Sequence, residues 1–202
     1  MKLVLLPGMD GTGLMFRPFT DIADNYEIDV ISYPNDKSQK YSDLVNYVKD
    51  RLPRDEDFII SAESYSGPIA YELMKDEIGN LRAVTFIASF LENPRPFLLS
   101  FLRVLPLSLI FHLPIPEFII RKYLLGYGVP DRLISGFKTA LSNVSPAVLA
   151  SRLREISGLK RPDKTVNYPC CYIGAEEDKL VTSKSIEAFR ELISNIDIRW
   201  NK

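Results

Sequence analysis

The sequence predicts an α/β domain, a mostly parallel sheet with helices on both faces, interrupted by a block of helices. Three observations carry that prediction. Short apolar runs alternate with amphipathic helical stretches through the first 92 residues, the pattern of parallel strands joined by crossover helices. The alternation stops near residue 93 and resumes near 165. The chain has 202 residues, 46% of them apolar, and a formal net charge of -1. That is enough apolar material for one packed core and too little charge for disorder.

Taken in order, Lys2–Pro7 is a short apolar strand that ends in the Gly-rich run Pro7-Gly8-Met9-Asp10-Gly11-Thr12-Gly13. Leu14–Asn25 reads as a helix, and Glu27–Tyr33 as a second strand stopped by Pro34-Asn35-Asp36. Tyr41–Leu52 places Leu44, Val45, Val48 and Leu52 at helical spacing. Asp57–Ala62 is the third strand, and Tyr65–Ile78 a helix with Ile69, Leu73 and Met74 on one stripe. Leu81–Phe90 is a fourth strand whose weak alternation suits burial on both faces. After the helical block, Val166–Gly174 is a strand, Thr182–Ser194 a helix and Ile196–Trp200 a last strand.

Between them, residues 93–164 show helical periodicity punctuated by prolines. Leu133, Phe137, Leu141 and Val144 form one stripe, and Leu149, Leu153 and Ile156 another. The division expected is a core of residues 1–92 and 165–202 with a helical cap, 93–164, inserted into it. Charge divides in the same way. The cap holds eleven basic and four acidic residues, net +7, which leaves -8 for the rest. Two readings follow: a cap that docks on an acidic core by complementarity, or a basic, apolar lid that receives acidic or amphipathic acyl partners.

Several function classes are excluded. At a pI near 5.9 the chain has no global basic surface, so no nucleic-acid partner is expected. The most apolar stretch, Phe97 to Phe111, is broken by Arg103 and Pro106 and falls short of the roughly 20 residues of a membrane span. Leu3–Leu6 is too short for a signal-peptide core. Cys170 and Cys171 are adjacent on one strand, where neighbouring side chains face opposite ways. A reduced, cytoplasmic setting is the expectation. With one histidine, His112, a multi-His metal site is ruled out.

Two motifs carry chemistry. Ala62-Glu63-Ser64-Tyr65-Ser66-Gly67 lies between a strand and a helix, the context of a nucleophile elbow. A sharp turn there lifts Ser64 above the sheet edge, and small residues two before and two after it, Ala62 and Ser66, avoid a clash. The following helix aims N–H groups at the same point. The Pro7–Gly13 loop is the second motif. Its glycine spacing reverses the dinucleotide pattern, it lacks Gly-Lys-Ser/Thr, and Asp10 would repel phosphate, so an oxyanion loop fits better than a phosphate loop.

Together with Gly174-Ala-Glu-Glu-Asp178-Lys-Leu-Val, these motifs in this order resemble the α/β-hydrolase superfamily. Within it the sequence is similar to bacterial lipid- and acyl-ester hydrolases such as pimeloyl-carrier-protein methyl ester esterases. The resemblance covers essentially the whole chain and implies an α/β-hydrolase fold with an inserted cap. It implies Ser64 as nucleophile, the backbone N–H groups of Met9 and Tyr65 as the oxyanion hole, and Asp178 as the acid that orients a catalytic His. Glu176 and Glu177 are the neighbouring alternatives to Asp178. It further implies a small-molecule ester or acyl substrate, an acyl carrier as candidate partner, and no metal or organic cofactor.

The order in this superfamily is Ser, then acid, then His, with the His just beyond the strand Ile196–Trp200. His112 instead lies in the predicted cap, where a packed or hydrogen-bonded role is the expectation. The sequence is therefore expected to be cut short before the catalytic His, with Ile196–Trp200 an uncovered edge strand bearing exposed apolar area. The alternatives are a non-catalytic relative that uses Ser64 for binding and, more distantly, a nucleotide- or flavin-binding α/β module.

Overall fold

The computed structural model describes residues 1–20, 27–102, 105–113, 115–126, 128–176, 178–181 and 183–201. Six strands form one all-parallel sheet: β1 (Lys2–Leu6), β2 (Glu27–Val30), β3 (Phe58–Glu63), β4 (Leu81–Ile87), β5 (Cys170–Ala175) and β6 (Ile196–Asn201). Their spatial order is β2-β1-β3-β4-β5-β6. The chain steps outward from β1 to β2, returns past β1 to β3, and then proceeds outward the other way. The loops leaving β1 and β3 therefore diverge from adjacent strands, at the switch point where open α/β sheets form their crevice. Register pairs Leu5 with Ser61 and Leu6 with Ala62, so Pro7 and Gly8 leave the sheet beside Glu63 and Ser64.

The crossover helices follow the predicted stripes. In α2 (Tyr41–Lys49) Leu44 and Val48 are buried, and in α3 (Gly67–Lys75) Ile69, Leu73 and Met74 are. Each such side chain contributes roughly 1.5–3 kcal/mol relative to an exposed one. The predicted first helix is a 3-10 turn, Leu14–Phe16, followed by α1 (Arg17–Thr20), and its remainder, 21–25, lies outside the described residues. The helix before β6 is α9 (Ser183–Leu192), Thr182 being outside the described residues.

Three strand boundaries differ from expectation by three residues or more, each for a local reason. β2 ends at Val30 because the next residues turn to the Gly-rich loop, where the Tyr33 N–H donates to the Gly11 carbonyl at 2.7 Å. β4 ends at Ile87 because Ala88 takes φ 44°. β5 starts at Cys170, since Pro169 has no N–H for the ladder; Val166 keeps an isolated bridge to Ile193.

Between β4 and β5 the chain forms α4 (Pro96–Leu102), α5 (Leu107–Ile110), α6 (Glu117–Ile119) running into a π-helical stretch Ile120–Leu125, α7 (Asp131–Ser142) and α8 (Pro146–Gly158). Its prolines start helices. Pro106, Pro116 and Pro130 occupy N-cap positions, and Pro146 follows the Ser145 cap, whose hydroxyl accepts from the Val148 N–H at 3.3 Å. That placement suits a residue with fixed φ and no N–H. In α7 the buried side chains are Ile134 and Ala140, with Leu133, Phe137 and Leu141 half-buried. In α8 the buried row is Val148, Arg152 and Ile156, beside Leu149, with Leu153 half-buried, so an arginine lies in the buried row next to the predicted stripe.

Among the described residues most of the insertion's ion pairs are internal to it. Arg121 pairs with Glu117 and Asp131, and Lys138 with Glu117, all within it, whereas among the described residues one ion pair, Arg161–Glu191, reaches the α/β part. Cys170 is buried, Cys171 half-buried, and both are free thiols. No helix among the described residues is long and apolar enough to cross a membrane.

Candidate active site

Ser64 sits at a sharp strand-to-helix turn with φ 45°, a left-handed conformation that is uncommon for a residue with a side chain. Several contacts hold it there. The Ser64 carbonyl accepts the Ser89 hydroxyl at 2.6 Å and the Gly67 N–H at the start of α3. The Tyr172 hydroxyl donates to the Ser89 carbonyl at 3.0 Å, tying β5 to the elbow. A Cβ on Gly67 would collide with Ser89 Oγ and lie 2.8 Å from the Phe90 carbonyl. Glycine at this position is what lets α3 start so close to the loop after β4.

The Pro7–Gly13 loop is pinned almost carbonyl by carbonyl. The buried Ser66 hydroxyl donates to the Pro7 carbonyl and lies 2.5 Å from the Tyr33 hydroxyl. The Gly8 carbonyl accepts the Gly11 N–H at 2.9 Å. Arg152, fully buried, donates from Nη1 to the Met9 and Asp10 carbonyls at 2.9 and 2.8 Å, and from Nη2 to the Pro34 carbonyl at 2.8 Å. Gly11 completes the set through Tyr33. Asp10 turns its carboxylate onto the Thr12 N–H at 2.9 Å. Among the described residues no acceptor takes the Met9 N–H.

Electrostatics around the switch point reflect burial. Glu63, the residue before Ser64, has its carboxyl pushed up to about 7, chiefly by desolvation and then by the neighbouring Asp10, against a hydrogen bond from the Gly8 backbone. Burial holds the Arg152 guanidinium below its ordinary value, opposed by nearby Tyr65, Tyr33 and Asp10. Tyr65 stacks on Tyr41 at 4.7 Å and meets Tyr33 edge-on at 6.4 Å, so burial raises all three phenols.

Asp178 lies in the loop after β5, two strands over on the same sheet rim, roughly 10 Å away at the usual strand spacing. It is half-buried, and its Oδ1 accepts the Leu180 and Val181 N–H groups, each at 2.8 Å. Glu176 is exposed and Glu177 lies outside the described residues. Met9, Ser64 and Tyr65 thus belong to adjacent turns at the switch point, with Asp178 further along the rim. His112 is exposed at the end of α5, its Nδ1 2.6 Å from the Ser108 carbonyl; it is hydrogen-bonded as anticipated but not packed inside the apolar stretch.

Above the loop, the buried trio Val144, Val148 and Leu149 packs on Met9, Phe111 and Leu141. Several of these residues wall a cavity of about 510 Å³ between α5, α6, α7 and α8, otherwise apolar but for His112, Lys138 and Ser142. Among the described residues no three His, Cys, Asp or Glu side chains gather as metal ligands would. Sequence reasoning missed Arg152 and Glu63 as parts of the site. The one available signal for Arg152 was its place in a buried helical row, Val148–Arg152–Ile156.

Comparison with known proteins bears on the fold. No family model matches the chain, and no curated protein matches it. Solved structures do. A lipase-esterase related protein from Clostridium acetobutylicum superposes with TM-score 0.79 at 13% identity, covering 100% of this chain and 85% of that one. MenH from S. aureus gives 0.73 at 15%, covering 99% and 84%. The RedJ thioesterase of the prodiginine pathway in Streptomyces coelicolor gives 0.67 at 20%, covering 98% and 76%. The chain has the α/β-hydrolase fold.

Proposed function

We propose that this protein is a serine hydrolase of the carboxylesterase or thioesterase type, acting on small or acyl-chain esters. One observation carries the reading: Ser64 stands at φ 45° on an elbow at the sheet's switch point, beside a loop whose Met9 N–H is left without an acceptor among the described residues. Ser64 Oγ attacks the acyl carbonyl, and the N–H groups of Met9 and Tyr65 receive the charge that develops on its oxygen. The Ser64 proton needs a histidine base that Asp178 would orient, a role that His112, hydrogen-bonded to the Ser108 carbonyl, does not fill. Esterases and thioesterases of the same fold support this chemistry. The helical insertion acts as a cap, and its 510 Å³ cavity, joined to Met9 through Val144 and Leu149, suits an apolar acyl chain.

The position of His112 favours a second reading. The one histidine of the sequence is exposed on the insertion rather than placed beside Asp178, as suits an acyl-binding protein that does not turn over. Hydrolysis of an activated short-chain ester, with fluorophosphonate labelling in parallel, separates the two. Turnover and labelling that both vanish in Ser64→Ala support the hydrolase, and turnover that persists in Ser64→Ala refutes it. Acyl-chain binding without turnover or labelling in the unmutated protein favours the second reading. His112→Ala is expected to leave turnover within about twofold, since its side chain is committed to the Ser108 carbonyl.

A further inference from the structure

We propose that Arg152 is a positioning residue for the oxyanion loop, a bolt driven from the helical insertion into the backbone that presents the Met9 N–H. The proposal rests on the hydrolase reading for its catalytic consequence, but the clamp itself can be observed without turnover.

Arg152 is on α8, and its guanidinium is spent on main-chain carbonyls rather than on a carboxylate. It donates to the carbonyls of Met9 and Asp10 from one nitrogen and to that of Pro34 from the other. Among the described residues no ion pair includes it. A fully buried arginine without a carboxylate partner is costly. Its rigid planar fork carries five donors on separate nitrogens and reaches carbonyls that lie apart, whereas a lysine offers three donors from a single nitrogen. The contacts fall on the C-terminal side of Met9, while Gly8 is held on the other side by the Gly11 N–H. The Met9 peptide is therefore fixed at both ends.

A second feature points the same way. Gly11 has φ 69°, and a Cβ there would lie 2.5 Å from Arg152 Nη1. The loop is shaped around the guanidinium, and the two residues form one device. Because the arginine comes from the insertion, any movement of α8 would reach the oxyanion donors directly.

The test uses the full chain with Arg152→Lys, Arg152→Met and Gly11→Ala. Hydrogen exchange at the Gly11 and Tyr33 amides, both bonded within the loop, reports the clamp. Those amides are expected to exchange at least tenfold faster in Arg152→Met, with amides of β3 and β4 unchanged, and Arg152→Lys is expected to fall between. In activated-ester hydrolysis, kcat is expected to drop about 10- to 100-fold with KM within about threefold, short of deleting an oxyanion donor outright. Gly11→Ala should reproduce the pattern, and combining it with Arg152→Met should add little. Unchanged loop exchange in a folded Arg152→Met, or in Arg152→Lys if the Met variant does not fold, overturns the proposal. Faster loop exchange with unchanged kcat overturns its catalytic part. A protein with no Ser64-dependent turnover that still shows the exchange effect removes the hydrolase reading and keeps the clamp.

Discussion

The rim at the switch point and the helical insertion are built to opposite standards. On the rim, the loop carbonyls from Pro7 to Gly11 each have a donor, and the elbow carbonyl has two. In the insertion, large apolar side chains face solvent: Phe97 is 96% exposed, Leu113 68%, Leu109 66% and Phe118 65%. The contrast separates two demands. On the proposed hydrolase reading, reacting groups must be held to fractions of an ångström by a rigid frame, whereas a surface that adapts to an acyl chain needs apolar area more than exact placement. Arg152 joins the two regions.

That contrast predicts a graded series. The largest effect is expected on the rim, where Gly67→Ala should cost roughly 3 kcal/mol or more in urea unfolding, because its Cβ meets Ser89 and the Phe90 carbonyl. A near-neutral result would mean the elbow is soft. Glu63 comes next. Its carboxyl is raised to about 7 in the folded protein from an ordinary 4.5, so the unfolded chain releases that proton first. Stability should fall as pH rises from about 4.5 to about 7 and then level off. Glu63→Gln should flatten that slope and stabilise the protein above pH 7 by ~2 kcal/mol, less than the full shift because the side chain is only half-buried. A slope unchanged by the substitution would place the titration elsewhere.

Smaller effects belong to the insertion. Leu141→Trp, which fills part of the cavity, is expected to lower kcat/KM for long-chain activated esters about tenfold and leave short ones within about twofold. Equal loss across chain lengths would separate the cavity from acyl selection. At the bottom of the series, Phe118→Ser should change unfolding free energy by no more than about 0.5 kcal/mol. A larger loss would show that the exposed face is structurally engaged.

Much of this was legible in the chain. Ile69, Leu73 and Met74 announced the buried face of α3, and the small residues around Ser64 announced the elbow, because helical period and local sterics act over a few residues. The β5 start was misplaced by four residues although Pro169 was visible, since an apolar run says nothing about which N–H groups find a ladder partner. Net charge likewise left the partners of the insertion's basic residues undecided. Net charge counts residues, but Arg121 and Lys138 found their acids within the insertion, and Arg152 found carbonyls.

By itself the sequence determined the strand-helix alternation, the run of helices after the fourth strand and the strand-to-helix context of Ser64. Each is written in contiguous residues whose spacing sets which side chains share a face. Only the tertiary structure decided that β1 and β3 are neighbours whose loops diverge, that Glu63 is forced toward neutrality by burial and by Asp10, and that Arg152 reaches more than 140 residues back along the chain to hold the Met9 and Asp10 carbonyls. Those outcomes depend on desolvation and on hydrogen-bond partners brought together by the sheet order, quantities that no local window of sequence contains.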